Sequence, residues 1–190
     1  PMTIWICNKC IQQNLRTVIL RRGYRTSPEG LADEVLMMSR QCPQAVIIAN
    51  PNRVAAGRLA VEEYKAQVLL LDDGFQHRRM ARDLDIVLID ATRPFGYGHV
   101  LPRGLLREPI NALIRANAVV MTRCDQISSS LLKEIEQTVR RYAFPGVPII
   151  HSTHRPAGFV DLAGHPIEPP TGLRLGCLAG IARPETFVET

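Results

Sequence analysis

The sequence predicts an α/β domain with a mostly parallel β-sheet that is covered by helices on both faces. Short apolar runs rich in Val, Ile and Leu alternate with amphipathic stretches along the 190-residue chain. Continuous apolar runs are typical of strands that are buried on both faces of a parallel sheet. Their alternation with helical patterns indicates strand–helix–strand crossovers, which place helices on the two sheet faces.

The predicted elements follow one another along the chain. The apolar runs predicted as strands are Thr17–Leu20, Ala45–Ala49, Val68–Leu71, Ile86–Ile89, Ala118–Met121, Val147–Ile150 and Leu175–Leu178. The predicted helices are Met2–Gln13, Ala32–Gln41, Arg53–Lys65 and Ser128–Tyr142. The last helix is the clearest, because a serine at its start and two arginines in its last turn are favourable end residues.

The charge and composition of the chain limit the kinds of ligand and partner that it is predicted to bind. A net charge of +5 fits anionic ligands such as nucleotides or acidic lipid headgroups. The basic residues are dispersed and only 5% of residues are aromatic, so no nucleic-acid partner is predicted. No apolar run reaches the roughly 18 residues of a transmembrane helix. Cys7 and Cys10 have no second pair at zinc-site spacing, so we interpret them as buried thiols of a reducing compartment.

The strongest chemical signal is an acidic pair at a strand end. The run Val68–Leu71 leads directly into Asp72, Asp73, Gly74 and, three residues later, His77. An apolar strand that ends in a carboxylate is the layout of a Walker B element, in which the acid holds Mg²⁺ against nucleotide phosphates. His77 is predicted to hydrogen-bond a carboxylate or a phosphate oxygen. The alternative interpretation is an ordinary Asp-Asp-Gly turn.

Other strand ends carry weaker signals. The basic run Arg21–Arg25, which includes Arg22, is predicted to face phosphates, or else to be a solvated loop. Asp33 and Glu34 open a helix, where acids favour the helix dipole; the functional alternative for such an acid is a general base. Asp90 is interpreted as a turn cap.

Two further histidines and one more strand end carry no predicted function. His151 and His154 are interpreted as surface residues. Thr122–Asp125 lacks the Asn-Lys-x-Asp pattern, so no guanine specificity is predicted.

The long loop Phe95–Pro109 contains three glycines and two prolines. It carries His99, Arg103, Arg107 and Glu108. Long ordered loops in compact domains are usually functional, so this loop is a candidate for binding a substrate headgroup.

Taken together, these segments resemble the tetraacyldisaccharide 4′-kinase family, the lipid A kinases. The residues that carry the resemblance are RRGYR at 21–25, ADE at 32–34, NRVAAGRLA at 52–60, LLLDDGFQHRRMARDLDIVLID at 69–90, FGYGHVLPRGLLREP at 95–109 and LAGIARPETF at 178–187. The combination of DDGFQH with a later LREP is more specific than either motif alone.

The resemblance implies a P-loop NTPase-like fold and transfer of the γ-phosphate of ATP to the 4′-hydroxyl of a tetraacyldisaccharide 1-phosphate in lipid A biosynthesis. It implies Mg²⁺ as a cofactor and the cytoplasmic face of the bacterial inner membrane, with its anionic surface, as the place of action. The implied site residues are Asp33 as catalytic base, Asp72 and Asp73 as catalytic and Mg²⁺-binding acids, and His77 as an active-site histidine. Glu34, Arg22, Arg107 and Glu108 are the implied substrate-binding residues.

The sequence departs from the family pattern at several positions. The residue after Glu34 is Val35 where the family has proline, Tyr97 replaces an asparagine, and Arg103 and Leu105 replace an alanine and a proline. Pro1 resembles the proline that follows the family's Gly-Lys-Thr phosphate loop. We therefore expect residues 1–155 to form a kinase core without its Walker A loop, residues 156–190 to begin a C-terminal portion, and the chain alone to be inactive.

Two other interpretations remain open at this point. One is a different P-loop ATPase or ligase, such as a dethiobiotin synthetase-like enzyme, which needs strand-end acids but no LREP loop. The other is a non-catalytic α/β binding module.

Overall fold

The computed structural model describes residues 1–23, 33–155 and 158–169, with the single positions 171, 172, 174, 176 and 178. Of Asp33 and Glu34 only the backbone is described. The chain divides into two compact units, Pro1–Asp83 and Leu84–Thr190. Each unit has its own clusters of buried apolar side chains. The expected boundary after residue 155 stays a prediction.

The first unit alternates helices and strands. Its elements are α1 (Met2–Gln12), β1 (Thr17–Arg21), α2 (Asp33–Gln41), β2 (Val46–Ala49), α3 (Arg53–Glu62) and β3 (Val68–Leu71). The three strands form a parallel sheet in the order β2–β1–β3. The predicted parallel α/β arrangement is therefore confirmed in this unit.

The central strand β1 shows that helices cover both faces of this sheet. Ile19 packs in one cluster with residues of α1 and α2, including Cys7. Val18 and Leu20 pack in another cluster with alanines of α3. Because successive side chains of a strand point to opposite faces, α3 lies on the face opposite to α1 and α2. Cys7 is completely buried, as predicted, whereas Cys10 is only partly buried.

The second unit also contains a parallel sheet, and a helix packs against one face of it. Its main elements are β4 (Ile86–Asp90), β5 (Ala118–Thr122), α4 (Ser129–Tyr142), β6 (Ile149–His151) and the antiparallel pair β7 (Phe159–Val160) and β8 (Pro166–Ile167). In the described part of this unit, three short 3₁₀ helices also occur, at Gly96–Gly98, Ile110–Arg115 and Cys124–Gln126. Strands β4, β5 and β6 form a parallel sheet in that order, and α4 packs its buried Ile135 and Val139 into the same core.

The predicted cap of α4 is confirmed. The side-chain oxygen of Ser128 accepts a hydrogen bond from the backbone N–H of Leu131 at 3.3 Å. The following strand begins later than predicted, at Ile149 and not at Val147. Pro148 explains the difference, because proline has no N–H to donate to the strand ladder.

One predicted helix ends earlier in the structure, and one predicted strand lies mostly where the structure describes no residues. Helix α3 ends at Glu62 and not at Lys65, because Lys65 adopts a left-handed backbone with φ of 52° that a helix cannot contain. The predicted strand Leu175–Leu178 lies largely outside the described residues. Among the described residues, none of the helices combines the length and the hydrophobicity that a bilayer-spanning segment requires.

Candidate active site

The acidic turn after β3, residues 72–77, is the centre of the candidate site. The backbone N–H of Asp72 donates to the carbonyl of Leu20 at 3.1 Å, so Asp72 continues the pairing of β3 with β1. Its carboxylate Oδ1 accepts a hydrogen bond from the hydroxyl of Thr3 at 2.7 Å. Its Oδ2 lies 3.1 Å from Nε of Arg21. Both oxygens of Asp72 therefore bind protein groups, and they join the first turn of α1 to the end of β1.

Asp73 has a different environment. Its backbone is left-handed with φ of 52°, a conformation that aspartate tolerates better than most residues, and its side chain is exposed. The next residue, Gly74, is buried against β3, since a Cβ at that position would lie 2.5 Å from Cβ of Leu71. The tight turn thus buries Gly74 and leaves the carboxylate of Asp73 exposed.

Arg53, for which no role is predicted from the sequence, hydrogen-bonds the backbone of this turn. Its side chain is only 5% exposed. NH2 donates to the backbone carbonyl of Asp72 at 3.0 Å, and NH1 donates to that of Asp73 at 3.1 Å. The sequence feature that could have identified Arg53 is its position at the start of a helix whose small residues pack on the sheet. An arginine that is buried there needs hydrogen-bond acceptors within the protein.

His77 closes the turn. Its N–H donates to the carbonyl of Gly74 at 2.9 Å, and its own carbonyl accepts a hydrogen bond from Arg82. Its ring Nε2 is buried without a hydrogen-bond partner among the described residues. Burial first, and then the positive charges of Arg53, Arg82 and Arg79, lower the pKa of His77 below its ordinary value of 6.5. The lowered pKa favours the neutral imidazole at neutral pH.

The basic residues after β1 extend the site. Arg22 is exposed directly beyond the strand. Gly23 follows with φ of 65°, and a Cβ there would lie 3.3 Å from the carbonyl carbon of Ala49, so the chain passes close to the end of β2. Tyr24, Arg25 and the side chains of Asp33 and Glu34 lie outside the described residues. Their assigned roles stay predictions.

The remaining predicted binding residues lie in the second unit. Glu108 pairs with Arg115, and Arg107 is exposed. Among the described residues, no three or more His, Cys, Asp and Glu side chains are grouped as a metal cage. That finding is compatible with Mg²⁺, which is usually held by one or two carboxylates together with phosphate oxygens.

Asp90 caps a turn, as predicted. Its Oδ1 accepts hydrogen bonds from the backbone N–H and the hydroxyl of Thr92, at 3.1 and 2.7 Å. Its Oδ2 accepts one from Arg123 at 2.5 Å. His151 and His154 are exposed, which confirms their assignment to the surface.

A separate open groove of about 400 Å³ lies between α3 and residues 79–81 of the first unit. Its lining includes Val54, Gly57, Val61 and Met80. Neither acid of the turn contributes to it, so it is distinct from the candidate active site.

Comparison with known proteins gives a consistent set of similarities. The family model for tetraacyldisaccharide-1-phosphate 4′-kinases (LpxK) matches residues 1–190. The chain is 35% identical over 209 aligned residues to the tetraacyldisaccharide 4′-kinase of Anaeromyxobacter sp. strain K, covering 100% of this chain and 55% of that protein. It is 42% identical over 176 residues to the enzyme of that name from Syntrophotalea carbinolica, covering 91% of this chain and 46% of that protein.

The chain is also similar to a solved structure, the "apo" form of LpxK from Aquifex aeolicus in complex with ATP. The TM-score is 0.60 at 28% identity, covering 78% of this chain and 48% of that one. The chain spans about half the length of these relatives.

Proposed function

The chain belongs to the tetraacyldisaccharide-1-phosphate 4′-kinase family, and from this premise we propose that the protein phosphorylates the 4′-hydroxyl of a tetraacyldisaccharide 1-phosphate with ATP. The product is an intermediate of lipid A biosynthesis. The observation that carries the proposal is the acidic turn after β3, whose Asp72 is hydrogen-bonded to Thr3 in the first turn of α1. Family membership sets aside the dethiobiotin synthetase-like alternative.

We assign different roles to Asp72 and Asp73. The N-terminus of a helix favours phosphate, because its first N–H groups are unpaired and the helix dipole is positive there. Asp72 fixes that end of α1 and is itself neutralised by Arg21. The carboxylate of Asp73 is exposed to solvent, from which Mg²⁺ and a nucleotide arrive, so we assign the Mg²⁺ contact to Asp73. When bound, Mg²⁺ supplies positive charge against the transferred phosphoryl group.

The other assignments rest on residue chemistry and on the family. Asp33 positions and deprotonates the sugar hydroxyl, and the neutral imidazole of His77 hydrogen-bonds the reacting phosphate or a carboxylate. Arg22, Arg107, Glu34 and Glu108 bind polar and anionic groups of the substrates. From the family resemblance we propose that the protein acts on this lipid at the anionic cytoplasmic face of the inner membrane.

The division between the acids is tested by Asp73→Asn and Asp72→Asn in the complete protein, with Asp83→Asn as an exposed control. The assay measures ATP-dependent phosphate transfer to the disaccharide lipid over a Mg²⁺ titration. We expect Asp73→Asn to raise the Mg²⁺ concentration at half-maximal rate and to lower turnover by about 100-fold or more, as loss of a transition-state charge contact does. A Mg²⁺ dependence like that of the Asp83→Asn control contradicts the assignment.

The catalytic base is tested separately by Asp33→Ala. We expect turnover to fall far more than ATP affinity, because a general base acts in the chemical step. Unchanged turnover rejects the base role. The absence of any phosphate transfer by the unmodified complete protein rejects the kinase proposal and favours the non-catalytic binding module.

A further inference from the structure

The loop of residues 95–107 in the second unit exposes a group of large apolar side chains. Residues 97–103 are exposed without interruption. Tyr97 is 69% exposed, Leu101 60%, Leu105 48% and Val100 39%. We call these four residues the apolar tip. Single exposed apolar residues are ordinary, but a cluster of this kind on one short loop marks an interaction surface.

The backbone holds this cluster together. Val100 pairs with Leu106 in an isolated bridge, which brings the two arms of the loop side by side. The N–H of Leu101 donates to Leu106, and those of Gly104 and Leu105 donate to Val100 and to Gly96, at 2.9 to 3.0 Å. Because these three amide groups are bonded within the loop, they would not be left as unpaired donors in an apolar medium.

Gly104 packs closely against the opposite arm of the same loop. A Cβ at Gly104 would lie 2.1 Å from the carbonyl oxygen of His99 and 2.4 Å from that of Gly96. No side chain larger than hydrogen fits at that contact. The apolar tip therefore lies on a loop that is closed by backbone hydrogen bonds and by this close contact.

The positive charge around the apolar tip indicates what kind of partner it binds. Arg93, Arg103 and Arg107 are exposed around the apolar tip, and residues 91–107 contain no aspartate or glutamate. The guanidinium of Arg93 lies 5.7 Å from the ring centre of Tyr97, so cation and apolar surface are adjacent. Arginine next to aromatic and aliphatic side chains is suited to the headgroup region of an anionic bilayer.

We propose that the apolar tip is a docking surface for an anionic lipid bilayer, with Tyr97, Leu101 and Leu105 entering the boundary between headgroups and acyl chains. Arg93 and Arg103 bind the lipid phosphates. The proposal deepens the proposed kinase function, since an enzyme for a membrane lipid has to reach its substrate at the bilayer. Vesicle binding without ATP or disaccharide lipid tests it independently of any kinase activity.

The first experiment measures co-sedimentation of the 190-residue chain with phosphatidylglycerol-rich vesicles and with pure phosphatidylcholine vesicles. We expect binding to the former, weakened about tenfold or more by the double change Leu101→Ser and Leu105→Ser, because binding scales with the apolar area buried. Phe144→Ser, at another strongly exposed apolar residue of the same unit, is the matched control and should bind like the unchanged chain. Equal binding of the double variant and the control overturns the proposal.

A charge change and a spectroscopic probe complete the test. Arg103→Glu should weaken binding more than Arg140→Glu, which makes the same change at an exposed position of α4. In a Trp5→Phe background, which removes the chain's one tryptophan, Leu101→Trp should show a blue-shifted emission on addition of the anionic vesicles. Unshifted emission overturns the proposal, as does vesicle binding that appears only when the disaccharide lipid is present. Self-association of the chain through the apolar tip, lost in the double variant, would identify a protein interface and would also overturn it.

Discussion

Replacement of Arg53 by methionine should destabilise the first unit and loosen the acidic turn before any ligand is involved. The methionine keeps most of the apolar stem but removes the donors that NH1 and NH2 supply to the carbonyls of Asp73 and Asp72. Those carbonyls belong to a turn whose second residue is already in a left-handed conformation. The turn therefore loses the contacts that oppose its backbone strain.

The size of the effect follows from the two lost hydrogen bonds. Each hydrogen bond from a charged donor contributes about 1.5–3 kcal/mol. Asp73 is exposed, so in the variant water can hydrogen-bond its carbonyl and offset part of the lost stability. We expect a net loss of about 2–4 kcal/mol in the free energy of unfolding of the first unit, and faster amide exchange across residues 68–77.

The assay is urea unfolding followed by circular dichroism, combined with hydrogen exchange resolved by mass spectrometry. Arg58→Met is the matched control, because Arg58 lies on the same helix and is exposed. Equal unfolding midpoints and equal exchange in the two variants would refute the structural role of Arg53. Arg53→Lys should recover only part of the loss, since one ammonium cannot reproduce the two-pronged donation of the guanidinium.

Three further outcomes are expected. Gly104→Ala should destabilise the second unit by about 2 kcal/mol relative to the unchanged chain, because its Cβ would lie 2.1 Å from the His99 carbonyl oxygen; thermal unfolding measures the difference. Asp73→Gly should be more stable than Asp73→Ala by about 1 kcal/mol in urea unfolding, since only glycine adopts the left-handed backbone without strain. The stability of the chain should fall as the pH drops below 6.5, because the lowered pKa of His77 lets the unfolded chain take up the proton first, and His77→Gln should flatten this part of the pH profile. A profile unchanged by His77→Gln would contradict that assignment.

The parallel sheets and the helices that cover them could be predicted from the sequence, because a strand that is buried on both faces consists of consecutive apolar residues. Thr17–Leu20 is the clearest case, since all four residues are buried and the observed strand adds only Arg21. Boundaries that depend on a single backbone torsion were not accessible. Lys65, whose left-handed φ follows the end of α3, is not a glycine and gives no local signal.

The site residues likewise differ in whether the sequence could predict them. Asp72 and Asp73 were found because they adjoin a strand, yet their different roles depend on Thr3 and Arg21, which approach from distant parts of the chain. Arg53 was missed for the same reason, since its two acceptors lie 19 and 20 residues away and are backbone atoms that carry no residue identity.

The hydrogen bond between Thr3 and Asp72 makes the start of α1 and the acidic turn a single thermodynamic unit. An anion that orders the first turn of the helix also fixes the hydroxyl that orients the carboxylate, and a cation at the turn acts back on the helix through the same bond. Binding free energies are reciprocal, so each ligand changes the affinity for the other by the same factor. The Thr3→Val variant, which keeps the shape of the side chain and removes the donor, should therefore lower this coupling in both directions equally.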